Sequence, residues 1–249
     1  MRFTTTVSLV SLAITWAVAS HLAQSDAFPG PLAVGAKIFQ ESANGELWVH
    51  LGATFGRVVV AFGLAWAVGI GIGAALGRSD RLDRWFWPWL NTFLNMPALV
   101  IIVICYLGLG MSELAAVLAV VINKAPLIAT NVRDGVRQFE TRYDEFASIY
   151  RLSWTQKVRL IWLPQLEPFL FTALRTGLSL TWKIILVVEL LGRSSGIGFQ
   201  IHLYFQLFEV DMILAYALSF MIAMQLIDLV VVRPLENRVQ KWRKDGQLA

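Results

Sequence analysis

Six apolar runs alternate with polar segments along the chain, at residues 7–23, 51–77, about 85–107, 114–130, 169–191 and 212–232. A helix that crosses the hydrocarbon core of a bilayer needs about 20 apolar residues, and the first run is short by that measure. Arg2 before it and small residues near its end fit either a transmembrane helix or a secretory signal peptide. Between the first two runs, Leu32 to Phe39 is expected to form a short helix on the membrane surface. Residues 192–209 read as a polar connection.

The longest polar interruption, residues 131–167, has an internal pattern of its own. Phe139, Tyr143, Phe146 and Tyr150 recur at intervals of four, three and four, which places them on one helix face. Ser153 and Gln156 make an S-x-x-Q capping box, so a second helix should begin there. Trp154, Val158 and Ile161 give that helix an apolar stripe. Pro164 has no amide to donate and biases the residue before it away from helix, so the helix is expected to stop there. The stretch therefore reads as two short amphipathic helices meeting near Arg151-Leu152. They either dock into a partner's groove or lie on the membrane or on the chain's own helix ends.

Composition makes the apolar runs membrane spans rather than a buried core. Of 249 residues, 57% are hydrophobic and 15% charged, with a mean hydropathy of +0.61; a soluble domain carries about 25% charged residues. The predicted class is all-α, a polytopic membrane protein with about six transmembrane helices. The single cysteine, Cys105, excludes an internal disulfide and a cysteine metal cluster, and His21, His50 and His202 share no ligand spacing. The formal charge of +4 gives no reason to expect nucleic-acid binding; its placement matters more. Basic residues concentrate in 78–84, 131–167 and 233–249, so these segments are expected in the cytoplasm, with both termini on that side. Without the first run, five spans with an outward N-terminus would satisfy the same pattern.

Several positions inside the spans carry chemistry. Gly69, Gly73 and Gly77 form a small-xxx-small ridge, for helix packing or as a gating hinge. Trp85, Trp87 and Trp89 read as an interfacial belt, and Asn95-Met96-Pro97 interrupts the third span. The fourth span carries Asn123, Lys124 and Pro126. Arg57 and Arg175 are expected to snorkel to the interfaces. Lys183, within the fifth span, either lines a pathway for an anion or snorkels or pairs with an acid such as Glu189. Glu189 itself reads as a gate or a cap, and Asn95 as a further pathway candidate.

The cytoplasmic stretch resembles the coupling loop of permease subunits of ATP-binding-cassette importers. That signature is Glu-Ala-Ala, three residues, Gly, nine residues, then Ile-x-Leu-Pro. Glu145-Phe146-Ala147 and Ile161-Trp162-Leu163-Pro164 stand at the matching spacing. Phe146 replaces the first Ala, and Arg151 replaces the Gly at the helix break. Arginine suits that break if its φ is negative, whereas a left-handed conformation costs it more than glycine. Arg151 is then either harmless or a contact to a partner. Pro29, Pro31, Trp182, Glu189 and Ser195-Gly-Ile-Gly198 are similar to the nitrate, sulfonate and taurine branch.

The resemblance implies a type I importer permease, one transmembrane domain over residues 1–249 with its core at about 50–232 and its coupling loop at 131–167. It implies a bacterial inner-membrane location, a permease homodimer, a cytosolic ATPase subunit and a periplasmic or lipid-anchored binding protein. Glu145, Phe146, Ala147, Tyr150, Arg151, Ser153, Leu163 and Pro164 would couple to the ATPase. No cofactor is expected, and without a Gly-x-x-x-x-Gly-Lys-Ser/Thr motif the energy must come from another chain. Two other classes fit less well. An intramembrane enzyme needs a nucleophile with a base, or metal ligands, and no span carries either. A secondary transporter is expected to show inverted repeats, which are not evident.

Overall fold

The computed structural model describes residues 2–25 and 27–234, and among them every regular element is helical. In order these are α1 (Arg2–Ala23), α2 (Pro31–Asn44), α3 (Glu46–Arg78), α4 (Asp80–Asn95), α5 (Ala98–Leu109), α6 (Glu113–Arg137), α7 (Thr141–Ile149), α8 (Trp154–Lys157), α9 (Leu163–Gly192), α10 (Ile197–Leu207) and α11 (Val210–Ile227). Single π-helical turns, Val158–Trp162 and Asp228–Val232, follow α8 and α11. Asp26 and the basic tail beyond residue 234, which entered the charge count, lie outside the described residues.

Among the described residues, three helices are long and apolar enough to cross a membrane alone: Glu46–Arg78, Glu113–Arg137 and Val210–Val230. Two bent pairs would bring the number to five, and Val10–Ala23 is a shorter apolar helix. The third run is not one straight span. Pro97 holds Met96 extended, with ψ at 127°, so α4 stops at Asn95 and α5 leaves at 97° to it. Alone, α5 has 12 residues and reaches about 18 Å, short of a bilayer's ~30 Å. Residues 192–209, expected as a polar connection, instead contain α10.

The helix expected to stop at Pro164 continues through it, and the preceding π turn explains how. In an α-helix the proline ring would strike the carbonyl four residues back, at Leu160. The widened turn moves that carbonyl aside, and the Leu163 amide bonds to Val158 five residues back. The second π turn has the same relation to Pro234: the Arg233 amide bonds to Asp228, and the two side chains pair at 3.0 Å.

The chain divides into two compact units. One comprises Met1–Phe55 with Leu186–Leu226, the other Gly56–Ile185 with Ile227–Ala249. In the second unit the glycine ridge of α3 packs on a matching ridge of α6. A Cβ on Gly69, Gly73 or Gly77 would lie 2.6–2.7 Å from the Cβ of Ile128, Val132 or Val136, closer than two methylenes can approach. Glycine here permits close helix packing rather than a hinge. Phe62, Ala65 and Ala173 complete the cluster around Ile128 and Val132.

Candidate functional site

The coupling stretch lies in the second unit. Its first helix, α7, has nine residues, too few to be stable alone, so its ends and inner face hold it. Phe139, expected on its aromatic face, lies before the helix and packs into the unit's core. The Glu140 amide donates to Gln165 Oε1 at 3.1 Å, which ties the start of α7 to α9. Ala147 is fully buried, which accounts for a small residue at that position.

A Schellman motif closes α7. The Leu152 amide donates to the Ala147 carbonyl at 3.0 Å, and the Arg151 amide to the Ser148 carbonyl at 3.2 Å. The residue between cap and return must be left-handed, and Arg151 has φ +49°. Glycine suits this position because it has no Cβ; arginine occupies it at a steric cost of about 1–2 kcal/mol. The Arg151 side chain is exposed and makes no hydrogen bond or ion pair among the described residues that would offset this. Two residues on, both bonds of the expected capping box are present. Ser153 Oγ accepts from the Gln156 amide at 3.4 Å, and Gln156 Oε1 accepts from the Ser153 amide at 2.8 Å.

The outer face of this hairpin is apolar and uncovered. Phe146 is 49% exposed, Tyr150 65% and Ile149 75%, and the Phe146 and Tyr150 rings lie 4.3 Å apart. Glu145 is exposed beside them. On the second helix Trp154 is exposed and meets Trp162 edge to face at 6.0 Å, while Ile161 is buried. Leu163 and Pro164 are exposed. Arg78, at the end of α3, stacks over the Trp162 ring at 4.1 Å, so the π turn is braced against a long apolar helix.

A second charged layer, which the sequence pattern did not reveal, lies beside it. Asp83 is buried and accepts from Arg133 through both carboxylate oxygens; Arg137 reaches it at 3.0 Å. The Arg133 guanidinium lies 4.0 Å over Trp87. Arg57, expected to snorkel, is instead buried and bonded to Glu113 through two hydrogen bonds of 3.0 and 2.8 Å.

The pathway candidates separate. Lys183 is exposed on α9, and Asn95 is exposed at the end of α4, donating to the Asn91 carbonyl at 2.8 Å. Glu189, in the first unit, is fully buried at the start of α10. The first four amides of a helix have no partner within it. Here the Gly196 amide donates to His50 Nδ1 at 3.0 Å, Ile197 to Thr54 Oγ1 at 2.8 Å, and Gly198 to Glu189 Oε2 at 2.9 Å. Thr54 also donates to Glu189 at 2.9 Å. His50 and Thr54, four apart on α3, point the same way. Glu189 thus caps a helix, with its charge at the favourable end of the dipole. Gly196 (φ +107°) and Gly198 are required because a Cβ on either would overlap Glu189. In the second unit, an apolar groove of about 520 Å³ between α3, α4 and α6 is lined by residues such as Val68, Ile72, Phe86 and Val121, with the Trp89 indole as its one side chain that can donate a hydrogen bond.

The sequence profile of the "binding-protein-dependent transport system inner membrane component" family matches residues 67–242, which include the whole coupling hairpin. The chain belongs to this family. It is a transport permease and not an enzyme. The chain is 27% identical over 215 residues to the putative aliphatic sulfonates transport permease protein SsuC of Bacillus subtilis (strain 168), covering 86% of this chain and 78% of that protein. It is 26% identical over 244 residues to the taurine transport system permease protein TauC of Escherichia coli (strain K12), covering 96% and 88%. The fold is similar to that of a chain from the inward-facing MetNI methionine ABC transporter, with a TM-score of 0.66 at 19% identity over 78% of this chain and 98% of that one.

Proposed function

We propose that this permease carries a small anion, of the sulfonate, taurine or nitrate kind, into the cytoplasm, driven by a separate ATPase that grips the α7–α8 hairpin. The hairpin carries the proposal. Two capped helices expose Phe146, Ile149, Tyr150 and Trp154, while Ala147 and Ile161 anchor them underneath. An apolar helix face of this kind suits insertion into a partner's groove. Glu145, Phe146, Tyr150, Leu163 and Pro164 then form the docking face. Ala147, Arg151 and Ser153 hold its shape. Covering half-exposed side chains of this size contributes roughly 1 kcal/mol each.

In this reading the hairpin is cytoplasmic, both termini lie on the same side, two copies form the pore and a binding protein delivers the solute. The lysine and arginine excess in residues 78–84 and 131–167 supports the orientation. Relatives named for sulfonate and taurine transport support the substrate class. Because the π turn makes α8 and α9 continuous, a push on the hairpin passes along one helix into a span. Lys183 and Asn95 remain exposed enough to line the path, and Glu189 acts there as a cap.

The reading is tested by co-purification with the co-expressed ATPase subunit of such an importer. Phe146→Asp and Glu145→Arg should each abolish retention of the ATPase while leaving the permease monodisperse. Full retention by both variants overturns the assignment of the docking face.

A further inference from the structure

We infer that Lys124 is the residue that contacts the transported anion midway through the membrane, which rests on the anion reading above. Lys124 lies on α6, and only 6% of its surface is exposed. Among the described residues its ammonium has no hydrogen-bond or ion-pair partner, although every other buried charged side chain of its unit has one: Arg57 with Glu113, and Asp83 with Arg133 and Arg137.

Its depth follows from the helix. Lys124 stands eleven residues after Glu113 and nine before Arg133. At 1.5 Å per residue these are about 17 Å and about 14 Å, so the two charged layers lie about 30 Å apart, the thickness of a hydrocarbon core, with Lys124 near its middle. An isolated cation at that depth is costly and marks an ion or substrate path.

Among the described residues of its own unit no carboxylate is available to pair with it there. Helix α5 contains no charged residue, and α6 has no acid between Glu113 and Asp134. Asp80 and Asp83 are taken by Arg133 and Arg137, and Asp228 by Arg233. Glu167 lies near the hairpin end of α9. A sulfonate or nitrate passing the midplane would supply the missing negative charge. A lysine on a flexible stem, as a compact point charge, holds such a group without committing it to one geometry.

The test uses the whole importer, with permease, ATPase and binding protein in proteoliposomes, and radiolabelled taurine and ethanesulfonate as probes. Lys124→Met should lower kcat/KM for uptake about ten- to a hundredfold, as expected for loss of a charged contact. Lys124→Arg should stay within about threefold of wild type, because the charge is kept. Assembly of each variant is checked by size-exclusion chromatography. Uptake by Lys124→Met within about twofold of wild type overturns the inference and leaves the anion reading intact. Failure of Lys124→Met and Lys124→Gln to assemble, with Lys124→Arg normal, also overturns it, because it marks a structural cation. A wild-type importer that ignores both sulfonates and carries a solute with no anionic group overturns the anion reading itself.

Discussion

Arg151 offers a quantitative test of the hairpin. Its φ of +49° places an L-residue in the left-handed region, at a cost of about 1–2 kcal/mol. Arg151→Gly removes that cost but gives the unfolded chain more freedom, which returns about 0.4–1 kcal/mol. The net gain is then about 1 kcal/mol, or roughly fivefold in the local opening equilibrium. The amides that report it are Arg151 and Leu152, which donate to Ser148 and Ala147. Amide hydrogen exchange at these two positions should slow about fivefold in Arg151→Gly. In Arg151→Ala it should match the wild type, because the exposed arginine side chain makes no hydrogen bond or ion pair among the described residues. Arg151→Val should speed exchange, since a β-branched residue is disfavoured at positive φ. Faster exchange in Arg151→Gly, or loosening in Arg151→Ala equal to that in Arg151→Val, would refute the left-handed account and point to a stabilising side-chain contact. If the guanidinium also touches the ATPase, Arg151→Gly will weaken association despite a tighter hairpin.

Other positions separate structure from transport. Gly73→Ala should destabilise the permease by about 1–3 kcal/mol, read as a lower melting temperature in detergent, because its Cβ would meet Val132 Cβ at 2.7 Å. Gly71→Ala faces open space and should leave the melting temperature unchanged within about 1 °C or raise it. Glu189→Ala strips the buried Gly198 amide of its acceptor, while the Thr54 hydroxyl falls back on the His50 carbonyl at 3.1 Å; a loss of about 1–3 kcal/mol is expected in denaturant melts, and a normal melt would contradict the capping role. Lys183→Met, at unchanged expression, should reduce uptake if the exposed face of α9 lines the path; undiminished transport removes Lys183 from it.

The spans and the hairpin were largely legible in the sequence, because a bilayer imposes apolar runs and helix caps are local. The Ser153–Gln156 box depends only on residues three apart and formed as read. The α3 glycine ridge named its packing role but not its partner, since Ile128, Val132 and Val136 look like any apolar i, i+4 row. Pro164 misled because a proline stops an α-helix, yet one π turn absorbs it. Residues 192–209 misled because two amides at the start of α10 are capped by residues distant in sequence, His50 and Thr54, beside the nearby Glu189. Arg57 misled for the same reason: a charge near a span end looks like a snorkelling residue until its partner, 56 positions away, is known. Lys124 was visible as a lysine within a span, but its burial without a partner is a property of the packed helices.

In the proposed function the α7–α8 hairpin transmits work from an ATPase to the spans. The most direct measurement is solute uptake into proteoliposomes containing the permease, its ATPase and its binding protein, with ATP inside or absent. Uptake that requires ATP and disappears in Phe146→Asp is the predicted result. Uptake by the permease alone in vesicles free of ATP would contradict it.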